Sequence, residues 1–154
     1  MAYKSLIGLF LTFNIIFADS IEVKALNFYA DENAGKSILS GNVVVSRGKD
    51  VLNTEELIIF MDKDRKPLRY EANKNPKFSI NLSGKTYKGS GDKFIYNVLK
   101  DTYEINGNAF IHEINTDKKL YGDKIIVDRK ANVYQVQSRQ NKPARFVFEL
   151  EDDK

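Results

Sequence analysis

The sequence has no cysteine and only one histidine in 154 residues. Without cysteine there is no disulfide and no lipoprotein anchor attached through a thiol, so stability has to come from packing and strand pairing. A lone histidine leaves metal chemistry short of converging ligands. Beyond the N-terminus there is no long apolar tract, which excludes a bundle of membrane helices. There is no basic stripe either: 24 Lys and Arg are interspersed with 21 Asp and Glu. No nucleic acid is therefore expected as a partner. No window of a dozen residues carries a helical period.

What is present begins with Met1 to Ser20. Lys4 precedes an apolar run from Leu6 to Phe17, and Ala18 follows with Ile16 two places before it. This is the layout of a secretory signal peptide, too short to span a bilayer comfortably, with cleavage expected after Ala18. A retained membrane anchor is the alternative. The expected organisation is a signal peptide over 1–18, one β domain over 19–150 and a short acidic tail over 151–154. Loss of 1–18 removes Lys4 and lowers the formal charge from +3 to +2. Export to a bacterial cell envelope fits best.

The rest alternates. Phe78-Ser79-Ile80-Asn81-Leu82-Ser83 is the clearest case of a strand with one apolar and one polar face. Turn chemistry punctuates the chain at Asp31–Lys36, Arg47–Asp50, Asp62–Pro67, Asn97–Asp101, Asn115–Lys119 and Asp128–Asn132. Two segment types recur. The first starts at Ala25 and returns at Thr54, Gly91 and Gly122, with a small residue at its first place and apolar residues at its fourth and sixth, Phe28 and Ala30 in the first copy. The second is Gly41-Asn42-Val43-Val44, matched to Asn75-Pro76-Lys77-Phe78 and Gly107-Asn108-Ala109-Phe110 at spacings of 34 and 32, with a looser copy from Asn141.

Repetition near thirty residues means stacked units, none able to bury its apolar face alone. The expected fold is all-β: repeated antiparallel hairpins forming two facing sheets or a rolled, open barrel. The expected inward columns are Phe78, Ile80, Leu82, Val44, Phe110 and Ile114, with Phe28, Leu57, Ile59, Phe94, Tyr96, Ile125 and Val127 from the other segment type. Phe146, Phe148 and Leu150 alternate in the same way. His112 falls in the column of Ser46 and Ile80, a place filled by unrelated residues, so no catalytic or metal role is expected for it.

Three motif fragments fail on inspection. Gly84-Lys85-Thr86 ends like a phosphate loop, but Ser79 stands where the first glycine belongs. Asp62-Lys63-Asp64 starts like a calcium loop, but Pro67 stands where the bend needs glycine. Gly89-Ser90-Gly91 lacks a third glycine and a helix to receive a phosphate. The carboxylates gather at turns and strand ends, so a hydrolytic pair is the minority reading.

The segments Leu39 to Val45, Asn75 to Phe78, Tyr103 to Phe110 and Tyr121 to Ile125 together resemble the OstA-like periplasmic components of lipopolysaccharide transport, in the family's order and over most of 21–150. The resemblance implies a twisted, V-shaped β-jelly roll whose apolar groove takes the acyl chains of lipopolysaccharide. It implies neither cofactor nor catalysis. Its implied partners are an inner-membrane anchored transport subunit, an outer-membrane barrel translocon, and further copies joined end to end through terminal edge strands. The membrane-anchored relative of the same fold, and a dry structural β protein, are the alternatives.

Overall fold

The computed structural model describes residues 21–131 and 133–150. The expected signal peptide over 1–18 and the acidic tail over 151–154 lie outside these residues. Twelve strands run in order: β1 (Ile21–Lys24), β2 (Asn27–Asp31), β3 (Lys36–Arg47), β4 (Asp50–Met61), β5 (Pro67–Asn73), β6 (Lys77–Leu82), β7 (Lys85–Ser90), β8 (Lys93–Asn97), β9 (Thr102–Glu113), β10 (Lys118–Asp128), β11 (Val133–Gln137) and β12 (Arg145–Val147). Every pairing between them is antiparallel. The fold is all-β, and the described residues contain no helix long and apolar enough to cross a membrane.

Four long strands, β3, β4, β9 and β10, belong to two layers at once. The first half of β3 pairs with β2 and the second half with β1. Likewise β4 pairs with β6 and then β5, β9 with β8 and then β7, and β10 with β12 and then β11. One layer therefore runs β2-β3-β4-β5-β8-β9-β10-β11, and the other β1-β3-β4-β6-β7-β9-β10-β12. Among the described residues the open edges are β1 and β2 at one end and β11 and β12 at the other.

The crossing points have a local cause. Ladder register shifts between Ser40 and Val43 and between Gly122 and Lys124. Gly41 and Asn42 take left-handed conformations, with φ of 81° and 46°, and so do Gly107 and Asn108, at 76° and 46°. Gly and Asn are the residues that tolerate this region, and the bulge bends a strand from one layer to the next. In the middle of the chain Lys74 and Asn75 do the same at 63° and 60°, and Pro76 follows. Proline has no N–H to continue the ladder, so β5 ends and β6 begins.

These landmarks correct the repeat. Asn42, Asn75 and Asn108 are equivalent, so the spacing is 33 and 33 rather than 34 and 32. Leu39, Ala72 and Ile105, and then Val43, Pro76 and Ala109, fall 33 apart, and all six are buried. Two clusters form the core. Leu39, Val43, Leu57 and Ala72 make one, and Ile105, Ala109 and Ile125 the other, with Phe94 packed against both.

Candidate functional site

Because each pairing is antiparallel, inward side chains on neighbouring strands line up in rows running across the strands, along the roll. In the first layer one row reads Phe28, Leu39, Leu57, Ala72, Phe94, Ile105, Ile125, Val136. A second, nearer the rim, reads Ala30, Ser37, Ile59, Tyr70, Tyr96, Tyr103, Val127, Tyr134. In the second layer the row is Val23, Val45, Leu52, Phe78, Gly89, Ile111, Leu120, Phe146. No charged residue interrupts any of the three.

Aromatic rings dominate the middle. Phe78 lies 5.4 Å from Phe94, Phe94 lies 5.7 Å from Tyr103, Tyr103 stacks on Tyr96 at 4.4 Å, and Tyr96 on Tyr70 at 6.2 Å. Burial raises the Tyr70 hydroxyl far above the ordinary tyrosine range, with Tyr96 adding to it. Burial also pushes Tyr96 up to about 12, helped by Tyr103 and by the hydrogen bond its hydroxyl donates to Asp101 at 3.0 Å. Both phenols are therefore neutral, apolar-bodied walls at any physiological pH.

Both ends stay open. Phe28 at one end is 44% exposed, and Phe146 and Phe148 at the other are 56% and 50% exposed, their rings 5.2 Å apart. A recess of about 390 Å³ lies at the first end, between β2, the β2–β3 turn and the β4–β5 turn.

Of the residues expected to face inward, Phe28, Leu57, Ile59, Phe78, Phe94, Tyr96, Ile125, Val127 and Phe146 lie in these rows. Ile80 and Leu82 continue the Phe78 side of β6 towards its tip, where Leu82 is exposed. Val44, Phe110 and Ile114 do not face inward. Val43 and Val45 take the inner face of β3, and Ala109, Ile111 and Glu113 that of β9. Aligning Asn75 with Gly41 instead of Asn42 slipped the comparison by one, and one residue reverses every side chain of a strand. Phe110 instead packs outside against Tyr121, 4.8 Å away, with Arg145 4.2 Å over the Tyr121 ring.

His112 shares its column with Ser46 and Ser79, not Ile80, and faces outward. Its Nε2 meets the Asp117 carboxylate at 2.6 Å, and this contact holds Asp117 below the usual carboxylate range. The pair lies at the surface on the outward face of the ladder. Leu39, Val43, Leu52, Ala72, Ile105, Ala109, Ile111, Leu120 and Val136 line the interior and were missed. The 33-residue spacing of the asparagines was the signal that would have found them.

The family model described as "LptA/(LptD N-terminal domain) LPS transport protein" matches residues 22–133. No curated protein sequence matches. The crystal structure of LptH, the LptA homologous periplasmic component of the lipopolysaccharide transport device from Pseudomonas aeruginosa, is similar in fold. Its TM-score is 0.72 at 16% identity, over 84% of this chain and 95% of that one.

Proposed function

From its membership of the LptA/LptD N-terminal-domain family of lipopolysaccharide transport proteins, to which this chain belongs, we propose that it is a periplasmic bridge that carries lipopolysaccharide between the two membranes of the envelope. It is exported by a signal peptide cleaved after Ala18, receives cargo from an inner-membrane anchored subunit and passes it to an outer-membrane barrel translocon. Copies join end to end through the edges β1 and β2 and β11 and β12. It is a carrier, with no reaction to catalyse.

The observation that carries this reading is the continuity of the three inner rows from one open edge to the other. A twelve-carbon acyl chain left in water forfeits on the order of 10 kcal/mol, at ~0.8 kcal/mol per methylene. A carrier must keep such a chain against apolar surface for the whole journey, and a row with a single charged residue would halt it. The aromatic middle offers flat, rigid walls there, and the exposed phenylalanines at either end offer somewhere to arrive and leave. Terminal strands with one free edge accept the next copy by continuing the ladder.

The residues proposed to touch acyl chains are Phe28, Leu57, Ile59, Phe78, Phe94, Tyr96, Ile125, Val127, Phe146 and Phe148, joined by Leu52, Ile111 and Leu120. Photocrosslinkers at Phe78 and Phe94 are expected to capture lipopolysaccharide. Crosslinkers at Phe110 and Lys77, equally apolar or equally central but facing outward, are expected to capture little. Equal capture on both faces refutes the conduit.

A further inference from the structure

The two layers end in edges of different character. In the first layer the free strands are β2, Asn27-Phe28-Tyr29-Ala30-Asp31, and β11, Val133-Tyr134-Gln135-Val136-Gln137, which between them carry a single charged side chain, Asp31. In the second layer β1 carries Glu22 and Lys24, and β12 carries Arg145. Charged side chains on an edge strand deter another chain from pairing with it. The second layer has that protection and the first lacks it, although Tyr29, Val133 and Tyr134 are 61%, 53% and 68% exposed.

The unprotected edges also match each other. Each is five residues long. The first layer has eight strands joined by antiparallel pairings, so β2 and β11 run in opposite directions, and a copy translated along the roll presents an antiparallel β2 to β11. Carrying the inner rows straight across the joint places Val136 opposite Phe28 and sets Tyr134 against Ala30, as Phe94 is set against Ala72. All five residues then pair, from Val133 with Asp31 to Gln137 with Asn27. The same rule in the second layer places Phe146 opposite Val23 and therefore Arg145 opposite Lys24, two cations directly across a ladder, which weakens it. Glu22, 3.1 Å from Lys24, eases that contact without removing it. The 138–144 loop leaves the end clear because it turns back over β10: Lys142 Nζ donates to Asn108 on β9 at 3.3 Å, and the Arg139 backbone N–H donates to Asp123 at 3.0 Å.

We propose that the first layer carries the joint between copies: β11 of one copy pairs antiparallel with β2 of the next in the register of Val136 with Phe28, while β12 and β1 lie alongside and contribute little. The partner for this edge is thus a second copy of this chain. The inference rests on the end-to-end reading and adds to it which layer bonds and in what register. For cargo, the rows from Phe28 to Val136 and from Ala30 to Tyr134 run on into the next copy, whereas the row from Val23 to Phe146 meets an unbonded junction at every joint. The contact is head to tail, so it propagates instead of closing on a pair.

The chain has no cysteine, so introduced pairs report without background. Three double variants of the mature chain are oxidised and read on non-reducing gels, all at outward-facing places that leave the inner rows intact: Tyr29→Cys with Gln135→Cys, in the proposed register; Asn27→Cys with Gln135→Cys, slipped by two; and Glu22→Cys with Val147→Cys, in the second layer. Directly opposite residues lie about 4.5–5.5 Å apart between Cα atoms, within reach of a disulfide, whereas diagonal ones lie about 7–8 Å apart and beyond it. The first variant is expected to form a ladder of multimers, and the other two about a tenth as much. In the cysteine-free chain, Tyr29→Lys with Gln135→Lys sets two cations face to face and is expected to weaken self-association about fivefold, and Tyr29→Lys with Gln135→Glu to restore most of it, both read by light scattering. A first variant that forms no ladder although the parent multimerises, or a ladder as strong from the slipped or second-layer pair, overturns the assignment and leaves the end-to-end joint standing. If no pair forms multimers and the parent stays monomeric, the end-to-end reading falls with it, while lipopolysaccharide capture at Phe94 still tests the carrier.

Discussion

The two outer hairpins, β3–β4 and β9–β10, and the four short strands between them solve the same packing problem differently. In the hairpins the residues of the innermost row are aliphatic and buried: Leu57 faces Leu39, and Ile125 faces Ile105. In the middle, the matching places hold Phe94, Tyr96 and Phe78, half-buried and in ring contact. For two of these three a cross-strand neighbour shrinks in step. Phe94 faces Ala72 and Phe78 faces Gly89, and a Cβ built on Gly89 would collide with the Phe78 ring. In the rows of Phe94 and Phe78 a large ring is thus matched by a small neighbour, as close packing requires, whereas Tyr96 meets Tyr70 and Tyr103.

That reading is broken most directly at Gly89. Gly89→Val places branched carbon where the Phe78 ring lies, and is expected to destabilise by about 3 kcal/mol, measured by urea unfolding. The same exchange at Gly84, where a Cβ meets nothing, is expected to show only the strain of its φ of 77°, about 1 kcal/mol.

The next effect is smaller and sharper. Ala72→Leu gives the middle repeat the residue that Leu39 supplies in the first hairpin, and against Phe94 it is expected to cost about 2 kcal/mol. Combined with Phe94→Leu, which restores the aliphatic pairing, the loss is expected to be at least 0.5 kcal/mol, on the order of double-mutant couplings, below the sum of the two singles. Strict additivity in a double-mutant cycle would show that the row does not share its volume.

The smallest effect is electrostatic and confined to one repeat. Arg47, Ile80 and Glu113 are equivalent at 33-residue spacing, so of the three only the last is a carboxylate. Glu113 accepts from Thr116, Lys85 at 3.0 Å and Tyr87 at 3.3 Å, and the Thr116 bond first, then Lys85, holds its carboxyl below the usual range. A folded-state value below the unfolded one gives stability that is present above the unfolded value and lost as pH falls through the folded one. Glu113→Gln is therefore expected to lower stability at pH 7, with the gap to the parent closing as pH falls through and below the ordinary carboxylate range in parallel urea titrations.

Much of this was legible in the chain. Alternation and turn residues give the strands, and the segment type at Thr54, Gly91 and Gly122 gives Leu57, Phe94 and Ile125 their correct inward face. The second segment type misled because Asn75-Pro76 resembles the start of Gly41-Asn42, while the backbone equates asparagine with asparagine. Left-handed φ at Asn42, Asn75 and Asn108 is a property of conformation, and composition does not distinguish a first bulge residue from a second.

The four strands shared between the layers also limit how the molecule can move. A sandwich whose sheets are separate chains of strands can slide or part like two plates, but here β3, β4, β9 and β10 are stitched through both. In the flanks of the roll, parting the layers would break the continuity of these strands or many ladder bonds together; in the middle, β5 and β6, and β7 and β8, are joined through the short connections at 74–76 and 91–92. Freedom is left to the terminal strands, each held along one side. For the carrier proposed above, this leaves the two ends, like the pliable cuffs of a sleeve, as the parts free to adjust to cargo or to a neighbouring copy.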